Sequence, residues 1–130
     1  MSKLIVVVED DEAIRFALMM RICAAGYRVE TAVDGAEALE IIQQHLPDLV
    51  VMDIRMPRVD GLTALHILAG DDATRDIPVV MVSASAEDQD SALEAGAKYF
   101  LRKPFETDSL LAAIECATGG VDSRKQGNIK

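Results

Sequence analysis

The chain has 130 residues, half of them apolar and 27% charged, which suits one folded domain rather than a chain that stays disordered. Its formal net charge is −9; residues 119–130 carry a net +2 (Asp122 against Arg124, Lys125 and Lys130), so residues 1–118 carry −11. So acidic a body is a poor partner for nucleic-acid phosphates, and no direct nucleic-acid binding is expected.

The first apolar run, Leu4–Val8, is β-branched and reads as a strand buried on both faces. It is too short for a signal-peptide core or a membrane span, so a soluble cytoplasmic protein with no membrane partner is expected. Asp11 then stands at a helix N-cap, with Ile14, Leu18, Ile22 and Ala25 at helical spacing and Gly26 as the stop. Tyr27–Ala32 reads as a second strand. Asp34 and Glu37 form a capping-box pattern opening a helix that carries Leu39 and Ile42 and ends at Pro47.

Leu49–Met52 is a third strand, stopping at Asp53. After a loop containing Pro57, Asp60-Gly61 opens a helix bearing Leu62, Leu65 and Leu68. Val79–Val82 is a fourth strand, and Ser85 and Asp88 are read as caps of a fourth helix ending near Gly96. Tyr99–Arg102 is a fifth strand, Lys103-Pro104-Phe105 interrupts it, and a last helix carries Leu110, Leu111 and Ile114. Residues 1–118 thus form the domain, and 119–130 read as a flexible tail or the start of a linker. Cys23 and Cys116 fit no metal or redox spacing and are read as buried, reduced thiols; His45 and His66 are read as solvated.

Strict alternation of strand and helix predicts an α/β fold, a five-stranded parallel sheet doubly wound with five helices. In such a sheet all carboxyl ends share one edge, where ligands bind. Glu9 and Asp10 follow the first strand, Asp53 ends the third, Ser83 follows the fourth and Lys103 the fifth. Taken singly these are a helix N-terminal charge pair, a loop carboxylate, a cap and a surface lysine. Brought to one edge, the three carboxylates repel, and hard oxygen donors without His or Cys favour Mg²⁺ or Mn²⁺. Asp11 is read as the N-cap rather than a ligand. Carboxylates, a divalent cation, an ammonium and a hydroxyl suit phosphoryl transfer, with a carboxylate as nucleophile.

The segments Val7-Val8-Glu9-Asp10-Asp11, Leu49 through Pro57 with Asp60-Gly61, Val82-Ser83-Ala84, and Ala95-Gly96-Ala97 through Lys103-Pro104-Phe105 are each weak signals. Together, in this order and spacing, the sequence resembles a two-component response-regulator receiver domain of the chemotaxis-receiver type over residues 3–118. That resemblance implies a flavodoxin-like strand order 2-1-3-4-5. It implies Asp53 as phosphoacceptor, and Glu9, Asp10, Asp53 and the Arg55 carbonyl around Mg²⁺. Ser83 would meet the phosphoryl group, Ala84 would leave room beside it, and Lys103 would contact a phosphoryl oxygen. The Lys103–Pro104 bond would be cis, and Phe100 would be the aromatic switch. Arg55 and Ser85 would occupy the positions that tune dephosphorylation.

Three departures from the commonest pattern stand out. Glu9 replaces Asp, Phe100 replaces Tyr, and Lys98-Tyr99 replace the acidic pair usual in receivers joined to winged-helix domains. The implied function is a phosphorylation switch rather than a turnover enzyme. Its donor would be a histidine kinase or phosphotransfer protein, and a downstream protein would read the surface of the fourth helix, fifth strand and fifth helix. Two other classes compete. One is a phosphorylation-independent interaction module on the same fold. The other is an aspartyl-nucleophile phosphatase of the haloacid-dehalogenase type, which needs an acid two residues after the nucleophile, where this chain has Arg55.

Overall fold

The runs LIVVV, LVVMD and VVMVS are buried along their whole length, because helices cover both faces of the sheet they form. The computed structural model describes residues 2–56 and 58–120. In chain order the elements are β1 (Leu4–Val8), α1 (Glu12–Ala24), β2 (Arg28–Ala32), α2 (Gly35–His45), β3 (Leu49–Asp53), α3 (Gly61–Ala69), β4 (Val79–Ser83), α4 (Asp88–Glu94), β5 (Tyr99–Arg102) and α5 (Thr107–Thr118). All strand pairs are parallel, and the sheet order is β2-β1-β3-β4-β5, as expected.

The two-residue period of the strands divides the core into two layers. Val6, Val8, Val50, Met52, Val79 and Met81 face α2, α3 and α4, meeting Ile42, Leu65, Leu68 and Ala92. Ile5, Val7, Leu49, Val51, Val80 and Val82 face α1 and α5, meeting Leu18, Ile22, Leu110 and Ile114. The same alternation sends Phe100 to the first layer and Tyr99 to the second.

Local chemistry sets the helix ends. Asp11 Oδ1 accepts from the Ile14 amide at 2.9 Å, Asp34 Oδ1 from Glu37 at 2.9 Å and Asp60 Oδ1 from Thr63 at 2.8 Å. Glu37 completes its box one residue early, accepting from the Val33 amide at 2.7 Å. Gly26 takes φ +103°, where a side chain would be strained, so the chain can turn out of α1.

Several expectations are corrected. β3 and β4 each run one residue further, through Asp53 and Ser83, and β2 starts at Arg28 because the Tyr27 amide still bonds Ile22 of α1. Both cysteines are exposed, since Cys23 and Cys116 lie off the stripes that α1 and α5 turn to the sheet. Ile14 also lies outside the core, 41% exposed. Residues 121–130 of the expected tail lie outside the described residues; Gly119 ends α5 in the left-handed conformation. His45 and His66 are exposed, and no described helix is long and apolar enough to cross a membrane.

Candidate functional site

Sheet order places the ends of β1, β3, β4 and β5 side by side, and four backbone bonds hold the residues there in register. Glu9 N–H donates to the Ala32 carbonyl at 3.1 Å, Ile54 N–H to Val82 at 3.0 Å, Lys103 N–H to Ser83 at 2.8 Å and Gly61 N–H to Ile54 at 2.8 Å. The loop after β3 lies against α3 so closely that a Cβ on Gly61 would fall 2.4 Å from the Asp53 carbonyl oxygen. The Lys103–Pro104 bond is cis.

Glu9 is 2% exposed and Asp53 5%, and Lys103 Nζ bridges them, 2.9 Å from Glu9 Oε1 and 2.6 Å from Asp53 Oδ2. The remaining carboxylate oxygens take backbone donors: Asp11 N–H to Glu9 Oε2 at 3.1 Å and Arg55 N–H to Asp53 Oδ1 at 3.2 Å. Burial pushes the Glu9 carboxyl above its ordinary value, the nearby Asp53 charge adding to this, although the Lys103 and Asp11 donors oppose it. Burial opposes the Lys103 charge, but its bonds to Asp53 and Glu9 outweigh that and hold the ammonium pKa above the ordinary lysine value. Asp10 is exposed at the rim.

Glu9, Asp10 and Asp53 each offer a carboxylate oxygen, and these oxygens all lie within 4.8 Å of one another. Three converging hard donors, with no His or Cys among them, fit a small divalent cation such as Mg²⁺. The lysine bridge points the same way, because two buried carboxylates are held together by a cation.

The remaining expected site residues divide. The Ser83 side chain is at the edge and fully buried, but its hydroxyl donates to Asp88 Oδ2 at 2.6 Å rather than to Asp53, and accepts from the Ser85 amide at 3.1 Å. Arg55 sends its guanidinium away from the acids onto Asp88, Nε at 3.2 Å from Oδ2 and Nη2 at 3.1 Å from Oδ1. Phe100 is half-buried, packed against the α4-side core and in register with Met81, rather than at the acidic edge. Asp53, Arg55, Ser83, Ala84, Ser85 and Lys103 line a cavity of about 300 Å³.

Asp88 was expected to cap α4, and that is corrected. It is the first residue of α4, and the residue at the cap, Glu87, makes no side-chain cap bond. The Ser83 hydroxyl holds the Asp88 carboxyl below its ordinary value, with Arg55 adding to this against partial burial. A capping reading exhausts the sequence signal of such an Asp. Its position five residues after a strand-end Ser was the remaining clue.

Comparison with known proteins agrees with this fold. Residues 5–115 match the family model described as the response regulator receiver domain. The chain is 38% identical over 112 residues to the "DNA-binding dual master transcriptional regulator RpaA" of Synechocystis, covering 85% of this chain and 46% of that protein. The chain spans about half the length of the curated relatives it matches. A putative response regulator from Chloroflexus aurantiacus superposes with TM-score 0.88 at 29% identity, covering 92% of this chain and 99% of that one. The receiver domain of the sensor histidine kinase PA1611 of Pseudomonas aeruginosa superposes with TM-score 0.85 at 26% identity, covering 92% of this chain and all of that one; its structure has a magnesium ion in the active-site cleft. The chain belongs to the response regulator receiver domain family of two-component signalling.

Proposed function

We propose that this chain is a phosphorylation-dependent switch that accepts a phosphoryl group on Asp53 in a Mg²⁺-dependent reaction. The observation that carries the reading is the bridge of Lys103 between Glu9 and Asp53 beside the exposed Asp10. The donor would be a phosphohistidine of a kinase or phosphotransfer protein. An Asp53 carboxylate oxygen attacks phosphorus, the P–N bond breaks as the O–P bond forms, and the product is an acyl phosphate.

Glu9, Asp10, Asp53 and the Arg55 carbonyl would hold Mg²⁺, which when bound neutralises charge on the transferring phosphoryl oxygens. Lys103 is placed to exchange its bond to the carboxylate for one to a phosphoryl oxygen. Ser83, which lines the same cavity as Lys103, would supply a hydroxyl donor once it turns from Asp88. Phe100 lies half-buried on β5 against the α4-side core, where inward movement would reshape the α4-β5-α5 surface for a downstream protein. The phosphoryl group shifts that equilibrium only as far as it stabilises one state over the other.

The chain acts as a receiver for one phosphoryl group, in a cytoplasmic setting, rather than as a turnover enzyme. The residue two positions after Asp53, where a phosphatase of the aspartyl type needs an acid, is Arg55, and its guanidinium is paired with Asp88. Incubation with Mg²⁺ and acetyl phosphate, read by intact mass, tests the reading. A single phosphoryl adduct is expected on the wild type and none on Asp53→Asn. Absence of an adduct on the wild type contradicts it, and sustained release of phosphate from phosphomonoesters points to an enzyme instead.

A further inference from the structure

The Ser83 hydroxyl has one proton, and the residue is 0% exposed. Its neighbours decide where that proton points. The Ser85 amide can only donate to Ser83 Oγ, and the Asp88 carboxylate can only accept from it. The hydroxyl is therefore committed to Asp88, at a short 2.6 Å. A phosphoryl oxygen on Asp53 is also only an acceptor, so it competes with Asp88 for the same proton.

Asp88 is well held for that competition. Arg55 grips both of its carboxylate oxygens, and Asp88 is the first residue of a helix whose cap position supplies no side-chain bond. The contact thus joins the end of β4, the loop after β3 and the start of α4. None of the bonds runs to Asp53, Glu9 or Asp10.

We propose that Asp88 is a positioning residue that latches the Ser83 hydroxyl away from Asp53, so that phosphorylation must break the Ser83–Asp88 bond before Ser83 can meet the phosphoryl group. The inference rests on the reading of Asp53 as phosphoacceptor. Breaking the bond leaves Asp88 to Arg55 alone and unties the start of α4 from β4. The latch opposes switching in the resting protein, and its removal favours the phosphorylated arrangement.

Beryllofluoride, which copies a phosphoryl group on a carboxylate, tests this without the lability of an acyl phosphate. Its affinity in the presence of Mg²⁺ is measured by calorimetry on the wild type, Asp88→Ala, Ser83→Ala and the double variant. Urea unfolding of each checks that it is folded. A charge-assisted hydrogen bond to a buried hydroxyl sets the scale, so Asp88→Ala is expected to tighten binding about ten-fold. In the Ser83→Ala background the same change is expected to alter it by about two-fold at most, because no latch remains to release. A gain of equal size in both backgrounds would show simple removal of a negative charge and overturn the latch. No gain in either background also overturns it, while leaving the phosphoacceptor reading intact. Failure of the wild type to bind beryllofluoride overturns that reading and the latch with it.

Discussion

The Lys103 ammonium lies 2.6 Å from an Asp53 carboxylate oxygen, joining residues 50 positions apart in sequence. The same nitrogen reaches Glu9, 94 positions away. The parallel sheet, with β3 central and all carboxyl ends on one edge, brings these three together. Within the acidic pocket the Lys103 ammonium offsets part of the repulsion between the two carboxylates.

Lys103→Ala removes that internal cation. Breaking a fully buried pair costs about 3–5 kcal/mol, and the partly exposed lysine lowers the expected loss to about 1–3 kcal/mol. Urea unfolding measures it. Added Mg²⁺ is expected to restore more stability to the variant than to the wild type, because the ion replaces the missing charge. Equal effects of Mg²⁺ on both proteins would place the ion elsewhere.

Asp10→Ala should leave the fold intact and abolish Mg²⁺ binding in a calorimetric titration. Asp10 is exposed and makes no structural contact through its carboxylate among the described bonds, whereas Glu9 and Asp53 are locked to Lys103. Relief of like-charge repulsion should raise the melting temperature in the absence of metal. A variant that fails to fold would make the acidic edge structural.

Gly61→Ala tests how tightly the loop after β3 is set. A methyl there meets the Asp53 carbonyl oxygen at 2.4 Å and the Ile54 Cα at 2.8 Å, both backbone atoms that cannot step aside cheaply. Overpacking of this kind costs about 1–3 kcal/mol. Phosphorylation of Asp53 by acetyl phosphate should slow as well, since the strain falls on its own peptide group. Unchanged stability would show that the loop has slack.

Asp34 gives the expected pH dependence. The Glu37 amide holds its carboxyl below the ordinary value of 3.8, against burial, and an ion pair with Arg58 adds to this. A carboxyl with a lowered folded pKa stabilises fully above its unfolded pKa, and that stabilisation is lost as pH falls through the folded value. Asn caps helices as well as Asp, so Asp34→Asn removes the charge and keeps the cap. In urea unfolding the wild type should exceed the variant near neutral pH, and the gap should close below pH 3.8. A gap that persists unchanged into that acid range contradicts the assignment.

Much of the site was legible before any coordinates. Glu9, Asp53, Ser83 and Lys103 each stand at the end of an apolar run, and parallel topology turns such ends into neighbours without further information. The two-residue period likewise separated Phe100 from Tyr99. Asp88 was not legible, because an Asp near a helix start satisfies the pattern of a cap whether or not its side chain turns back to the helix. Only the packing of β4 against the loop after β3 shows that it turns to Ser83 and Arg55 instead. The burial expected of Cys23 and Cys116 rested on what free cysteines usually do, which does not say which helix face they occupy. Ile14 failed for a reason of spacing. Helical spacing gives the direction of an apolar stripe but not its width, and the width depends on where the helix axis sits over the sheet.

The central claim is an acyl phosphate on Asp53, and borohydride reduction followed by peptide mass spectrometry addresses it most directly. Reduction of an acyl phosphate on an aspartate leaves homoserine at that residue. After treatment with Mg²⁺ and acetyl phosphate, homoserine is predicted at position 53 and at no other carboxylate. Homoserine at Asp10 or another acid, or unaltered aspartate at position 53, would contradict the account.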